Sequence, residues 1–492
     1  MSDTPSSMPC DLLLTGGFIV DGTGSPAYAA CLGIRDDRIV HVGDGRGIEA
    51  RRVIDLDGLA IAPGFIDVHT HDDRAVLIDP AMPAKVSQGI TTVVVGNCGA
   101  SLAPFRAEDT DLVAPLGILG EAGVFRFHRF RDYVAAVEEA RPAVNVVALV
   151  GHTTLRASVM DFCHRPATEA EIEAMSARLD EALRDGASGM STGLFYAGAR
   201  QAPTEEVIAL AQVVARHGGL YATHMRDEAS GVVDSVEETL TIGRAANVPV
   251  VISHHKINGA ENWGLSKTTL ARISQAMDEQ EVMLDLYPYA AASTVLLPER
   301  CDGSMRVRLS WSEPHPDQAG RDIADIARDW GCSGEEAARR LLPGGAIYFM
   351  MDEEDIKRIL AFPHTMIGSD GLPHDRHPHP RLWGSFPRVL GHYAREEKVL
   401  TTEEAVRRMT GLAAANFGLP ERGLIREGYF ADITVFDPAT VKDRASYDEP
   451  QQPAAGIHLV MVNGQIAWQD TSVGPARAGR FLRRSPAAQA QG

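Results

Sequence analysis

The chain reads as an α/β protein built on a (β/α)8 TIM-like barrel, with a small β-sandwich or β-barrel domain formed from both termini. Three observations point there. Eight short apolar runs alternate with helix-length stretches through the middle of the sequence. Both ends carry a different, turn-rich strand pattern. At 492 residues the chain also exceeds what one hydrophobic core usually serves.

The ends come first. From Leu12 to Ala62, "LLLTGGFIVDGTG" and "LGIRDDRIVHVGDG" interrupt short alternating runs with Gly and Asp, as hairpins do. The pattern returns near the C-terminus in "EGYFADITVFDP" and "IHLVMVNGQIAWQD". The expected division is a β domain from residues 1–62 and 413–480, a barrel from 63–412, and a tail at 481–492.

Within the barrel, "GFIDVHTH", "ITTVVVGNC" and "VNVVALVGH" supply the first three strands. A helix is predicted from Thr168, with Glu171 completing a capping box and Gly186 ending it. Its Ile172, Met175, Leu179 and Leu183 keep helical spacing. "SGMSTGLF", "LYATHM", "VPVVISHH" and "EVMLDLYPY" follow as strands four to seven, separated by helical stretches such as "TEEVIALAQVVARHGG" and "SKTTLARISQAMDEQ". The eighth, "TMIGSD", waits until after an insertion at about 294–352. That is too long for an ordinary connection. It leaves from the catalytic face and contains the helical "GEEAARRLL", so it reads as a lid.

Composition narrows the class of partner. Hydrophobic residues make up 45% and charged residues 23%, as in ordinary globular proteins. A net charge of -19 argues against nucleic acid or an anionic membrane as the main partner. Six scattered cysteines form no CxxC pair, which suits a reducing compartment. With no signal-peptide pattern and no apolar run of spanning length, a cytoplasmic location is expected. Oligomeric state is left open.

The strand ends carry the chemistry. His69 and His71 close the first strand and, by its period of two, face the same way. Cys98 ends the second strand, His224 the fifth, His254 the sixth and Asp370 the eighth. Singly, each has a plain structural explanation: a satisfied histidine, a small core thiol, a helix-capping aspartate. Six such residues at one end of a barrel, on five strands, are better explained by a metal centre. Imidazole and thiolate favour zinc over magnesium or calcium. Asp370 is left as general base for metal-assisted hydrolysis of an acyl compound. His255, one residue from His254, should face the other way. His152 sits where it orients neighbours, and His374, His377 and His379 lie in a Pro-rich loop.

The motifs resemble those of the amidohydrolase superfamily, and within it the N-acyl-D-amino-acid deacylases, or D-aminoacylases. The matching pieces include "APGFIDVHTHDD", "VVVGNCGASLAP", "YATHMRDE", "ISHHK", "YPYAAASTVLLPER", "IGSDGLPH" and "HPRLWGSFPRVLG", in order over nearly the whole chain. The resemblance implies that Cys98 takes the bridging place of the carboxylated lysine in hydantoinases. It implies a tight zinc on Cys98, His224 and His254, and a weaker second site on His69 and His71. Asp370 matches the catalytic acid/base, and Lys256, Arg381, Tyr287 and Ser293 match a clamp for the substrate carboxylate. Tyr196 is expected to line the acyl or side-chain pocket. Arg300 either pairs with an acidic substrate side chain or faces water. The implied reaction is zinc-dependent hydrolysis of an N-acyl-D-amino acid, a small-molecule substrate. The alternatives are a deacylase for N-acyl-D-glutamate or D-aspartate, a cyclic amidase of the hydantoinase type, and an inactive scaffold.

Overall fold

The structure is a computed structural model that describes residues 9–107 and 112–484. Its centre is a set of parallel strands separated by helices. They run, in chain order, Phe65–Asp67, Ile90–Val95, Asn145–Ala148 continued by Val150–Gly151, Gly189–Gly193, Leu220–His224, Val250–Ile252, Val282–Leu286 and Thr365–Ile367. Each pairs in parallel with its chain neighbour. At the seam, Val68 N–H reaches Ile367 O at 3.4 Å, and Thr70 bridges Gly371 in parallel.

Alternation sorts the strand residues onto two faces. Ile66, Val94, Val147, Leu149, Leu220, Ala222, Val251, Met283 and Met366 pack together on one. Their neighbours Phe65, Val93, Val146, Tyr221, Val250 and Leu284 pack on the other, against the helices. Ala413, Ala414 and Phe417, on and just after helix Gly411–Asn416, close one end of the first cluster. Residue 413, where the terminal β domain was expected to resume, therefore belongs to a helix, and the strands return at Ile433–Phe436. The predicted helix spans Glu169–Asp185, with the Thr168–Glu171 box formed in both directions and Gly186 at φ 115°.

Both ends of the chain meet in one sheet. Ala60–Pro63 pairs in parallel with Phe18–Ile19 and antiparallel with Ile433–Phe436, which continues to Ile457–Val462 and Gln465–Gln469. A second sheet orders Arg38–Gly43, Cys31–Arg35, Cys10–Thr15 and Ala50–Asp55. Leu14, Ile34, Ile61, Ile433 and Leu459 pack between the two.

The long insertion is more than a loop. Ala292–Val295, Gly344–Tyr348 and Val307–Ser312 make an antiparallel sheet, with helices Ile323–Trp330 and Gly334–Arg340 alongside. Leu296, Leu309, Ile326, Leu341 and Tyr348 form its own apolar core. Gly345 is required here, because a Cβ at that position would stand 2.4 Å from Trp311 Nε1. Among the described residues no helix is long and apolar enough to cross a membrane.

Candidate metal centre

Of the six expected strand-end residues, only His224 lies within a strand. His69 and His71 follow Asp67, Cys98 follows Val95, His254 follows Ile252 and Asp370 follows Ile367 by two to four residues. The strands stop short because the backbone turns left-handed at Cys98 (φ 53°), His254 (φ 36°) and Asp370 (φ 47°). Residues other than glycine rarely adopt this conformation, and it gathers at functional sites. Hydrogen bonds hold it: Asp370 N–H donates to His69 O at 2.7 Å, and His254 N–H to Asp285 Oδ1 at 2.9 Å.

The side chains converge. Cys98 Sγ lies 3.3 Å from both His69 Nε2 and His254 Nε2. Asp370 Oδ1 is 3.1 Å from His71 Nε2 and 3.4 Å from His69 Nε2. One candidate cluster joins His69, Cys98, His254 and Asp370, with donor atoms all within 4.8 Å of one another. A second joins His224, Glu228 and His254. His224, packed against His254 at a ring-centroid distance of 4.4 Å, is buried with neither ring nitrogen hydrogen-bonded. Buried polar atoms are rarely left so. A thiolate and imidazoles around such an orphaned ring fit a zinc-type ion.

Electrostatics agree with a cation-binding role. Burial alone would raise the Cys98 thiol, but the His69 and His254 imidazoles outweigh it and hold it well below the ordinary value. Burial opposes ionisation of Asp370 too, yet the Arg381 guanidinium and the hydrogen bond from His71 keep its carboxyl well below the usual range. Burial lowers His224, favouring the neutral ring that a metal needs. His71 goes the other way: burial is outweighed by Asp370 and Cys98, which push it up to about 9.

A cavity of about 40 Å³ adjoins the cluster, lined by His224, His254, Asp370, Tyr196, Lys256 and Arg381 among others. Arg381 is buried, with Nη1 2.9 Å from Asp370 Oδ2 and Nη2 donating to Ser293 O at 2.9 Å. Its guanidinium lies 4.5 Å from the Tyr287 ring centroid. The buried Ser293 hydroxyl on the cavity wall has no hydrogen-bond partner. Tyr196 hydroxyl meets Thr294 Oγ1 at 2.9 Å. Arg300 lines the cavity from the insertion, its guanidinium 5.2 Å from the Phe195 ring centroid.

Sequence reading missed Glu228 and Asp285. Glu228 Oε1 lies 2.6 Å from Lys256 Nζ and 3.1 Å from His254 Nδ1. Asp285 stands 3.4 Å from His69 Nδ1. A signal existed for each: Glu228 follows His224 by one helical turn's spacing, and Asp285 is a lone acid in the apolar strand Val282–Leu286. The other histidines stand apart from the cluster. His255 Nε2 meets Thr269 Oγ1 at 2.8 Å, and His152 Nε2 meets Glu206 at 2.9 Å. His377 bonds Tyr447 O, and His379 Nδ1 accepts the Arg381 backbone N–H.

A model of the Amidohydrolase family matches residues 52–467. The chain belongs to this family. A D-aminoacylase from Alcaligenes xylosoxydans xylosoxydans is 52% identical to this amidohydrolase over 481 residues, covering 98% of this chain and 99% of the relative. An N-acyl-D-aspartate deacylase from the same organism is 49% identical over 483 residues, covering 98% and 96%. The crystal structure of an N-acyl-D-glutamate deacylase from Bordetella bronchiseptica, complexed with zinc and a phosphonate mimic of the tetrahedral intermediate, superposes with a TM-score of 0.93. It is 48% identical and covers 97% of this chain and 100% of that one.

Proposed function

We propose that this amidohydrolase hydrolyses N-acyl-D-amino acids to a carboxylate and a free D-amino acid. The carrying observation is one cavity that joins the thiolate–imidazole cluster to two cationic side chains, Lys256 and Arg381. The 52% identity to a D-aminoacylase supports the D configuration. Cys98, His224 and His254 hold one tight zinc in this reading, and His69 and His71 serve a weaker second position. A zinc ion bound there polarises an acyl oxygen and lowers the pKa of water.

The chain's own groups do the rest. Asp370, kept ionised by Arg381, takes a proton from the attacking water and returns it to the leaving nitrogen. Arg381 and Lys256 receive the substrate α-carboxylate, with Tyr287 between them and the Ser293 hydroxyl free to donate. Tyr196 walls the pocket. In this reading the parallel strands close into a (β/α)8 barrel, strands from both ends of the chain form the terminal β domain, the C-terminal ones starting at Ile433, and the insertion acts as a lid. Six unpaired cysteines support a reducing, cytoplasmic setting.

A narrower reading, preference for an acidic side chain, is favoured by Arg300, the cavity cation contributed by the insertion. One assay tests both. The zinc-loaded protein is given N-acetyl-D- and N-acetyl-L-amino acids with apolar, neutral and acidic side chains. Turnover of D substrates alone is expected. Hydrolysis of L substrates at equal rates overturns the assignment, and a sharp preference for D-Glu or D-Asp selects the narrower one.

A further inference from the structure

Behind the metal centre lies a buried ammonium that the chemistry above does not use. Lys85, on the short helix Pro83–Val86, has no exposed surface. Its Nζ lies 2.8 Å from Asp67 Oδ2, 3.0 Å from Asp72 Oδ2, 2.9 Å from Thr70 Oγ1 and 2.9 Å from Ser369 Oγ. An ammonium has three protons and no acceptor, so four oxygens at this distance saturate it.

The partners are not scattered. Asp67, Thr70 and Asp72 flank His69 and His71 along the first strand's extension, and Ser369 immediately precedes Asp370. Ser369 ties the two sides together: its hydroxyl donates to Asp67 Oδ2 at 2.6 Å and accepts the Gly371 N–H at 3.1 Å. Its own N–H donates to Asp67 Oδ1 at 2.8 Å. On the other side of the same backbone, Asp370 N–H bonds His69 O and His71 N–H bonds Gly371 O. Asp370 thus keeps its left-handed backbone between two sets of bonds, one of which converges on Lys85.

We infer that Lys85 is a positioning residue for the hydrolysis, acting through Ser369 to hold the Asp370 carboxylate against His71 and the attacking water. The role rests on Asp370 being the proton-transfer group. Lys85 also neutralises two buried carboxylates, so its removal leaves charge stranded in the core. For that reason the gentler variant, Ser369→Ala, is the primary test, with Lys85→Met beside it.

In zinc-replete enzyme, Ser369→Ala is expected to lower kcat about ten- to a hundredfold, the scale at which misplacing a reacting group is felt. KM, zinc content and thermal midpoint should stay close to those of the parent. Where Lys85→Met folds, adding Ser369→Ala to it should lower kcat no further. An unchanged kcat in Ser369→Ala overturns the inference. So does a fall in kcat matched by lost zinc or raised KM, which marks a general structural role. Asp370→Asn, measured in parallel, separates the two levels. If it retains turnover, the proton-transfer assignment fails. If it is inactive while Ser369→Ala is normal, only the positioning role fails.

Discussion

The two halves of the metal centre differ in how far the protein satisfies them by itself. On the side of the first strand, His71 donates to Asp370, and His69 stands 3.4 Å from Asp285 and 3.3 Å from Cys98. On the side of the fifth and sixth strands, His254 is backed by Glu228, but His224 has no hydrogen-bond partner on either nitrogen. The electrostatics set one residue apart: against burial, neighbouring acids and Cys98 raise His69, His71 and His254, His71 to about 9, whereas burial favours the neutral form of His224. A metal ligand must be a neutral imidazole, so a cation meets the least competition from protons at His224. The difference teaches that imidazoles crowded into one mouth need not be equally prepared for a metal, because burial and neighbouring charges act on each one separately.

The sharpest way to break this comparison is through what the halves share. Cys98 touches both, so Cys98→Ala is expected to strip zinc from the purified protein and lower activity by more than about a hundredfold. A variant that keeps a full equivalent of zinc would show that the imidazoles suffice. Asp370→Asn should instead keep its zinc while kcat drops about 10²- to 10⁴-fold, the usual contribution of general acid–base catalysis. Zinc analysis beside steady-state kinetics distinguishes the pair.

The next contrast separates the halves. His224→Ala should weaken the tight zinc about ten- to a hundredfold or more, read by competition with a chelator. His71→Ala should leave that zinc in place and cost less activity. Equal zinc loss in both variants would show that the two halves hold the metal alike.

The last contrast lies outside the metal centre, in a buried histidine–acid pair whose acid also meets Arg156. Burial opposes the charge on Glu206, but His152 and Arg156 overcome it and hold the carboxyl at about 2. An unfolded glutamate titrates near 4.3. The pair's stabilisation is therefore present above roughly pH 4.3 and lost as pH falls towards about 2. Glu206→Gln should cost about 3 kcal/mol at neutral pH and flatten that part of the acid limb, as followed by chemical denaturation against pH. Zinc binding should not change.

Much of this was legible from local rules. Period-two alternation put His69 and His71 on one face even past the end of the strand, because the Thr70–Gly371 bridge keeps the backbone extended. It also turned His255 away towards Thr269. The Thr168–Glu171 box and Gly186 fixed both ends of one helix. What escaped was set by distant partners. Glu228 is brought to His254 by the turn after the fifth strand, where no periodicity applies. The insertion's sheet pairs Val307–Ser312 with Gly344–Tyr348 across two intervening helices, so its strands looked like loop. Lys85 carried no motif, and only the fold buries it among its carboxylates.

One strand pairing reaches into how the protein is made. Ala60–Pro63 leaves the ribosome early, but its antiparallel neighbour Ile433–Phe436 is among the last strands synthesised. At about 5–20 residues per second, the first strand waits some 20–75 s with one edge open. Open edges template pairing with other chains. Products that terminate before residue 433 never acquire the cover, so truncation at that stage should yield aggregates rather than a shorter working enzyme.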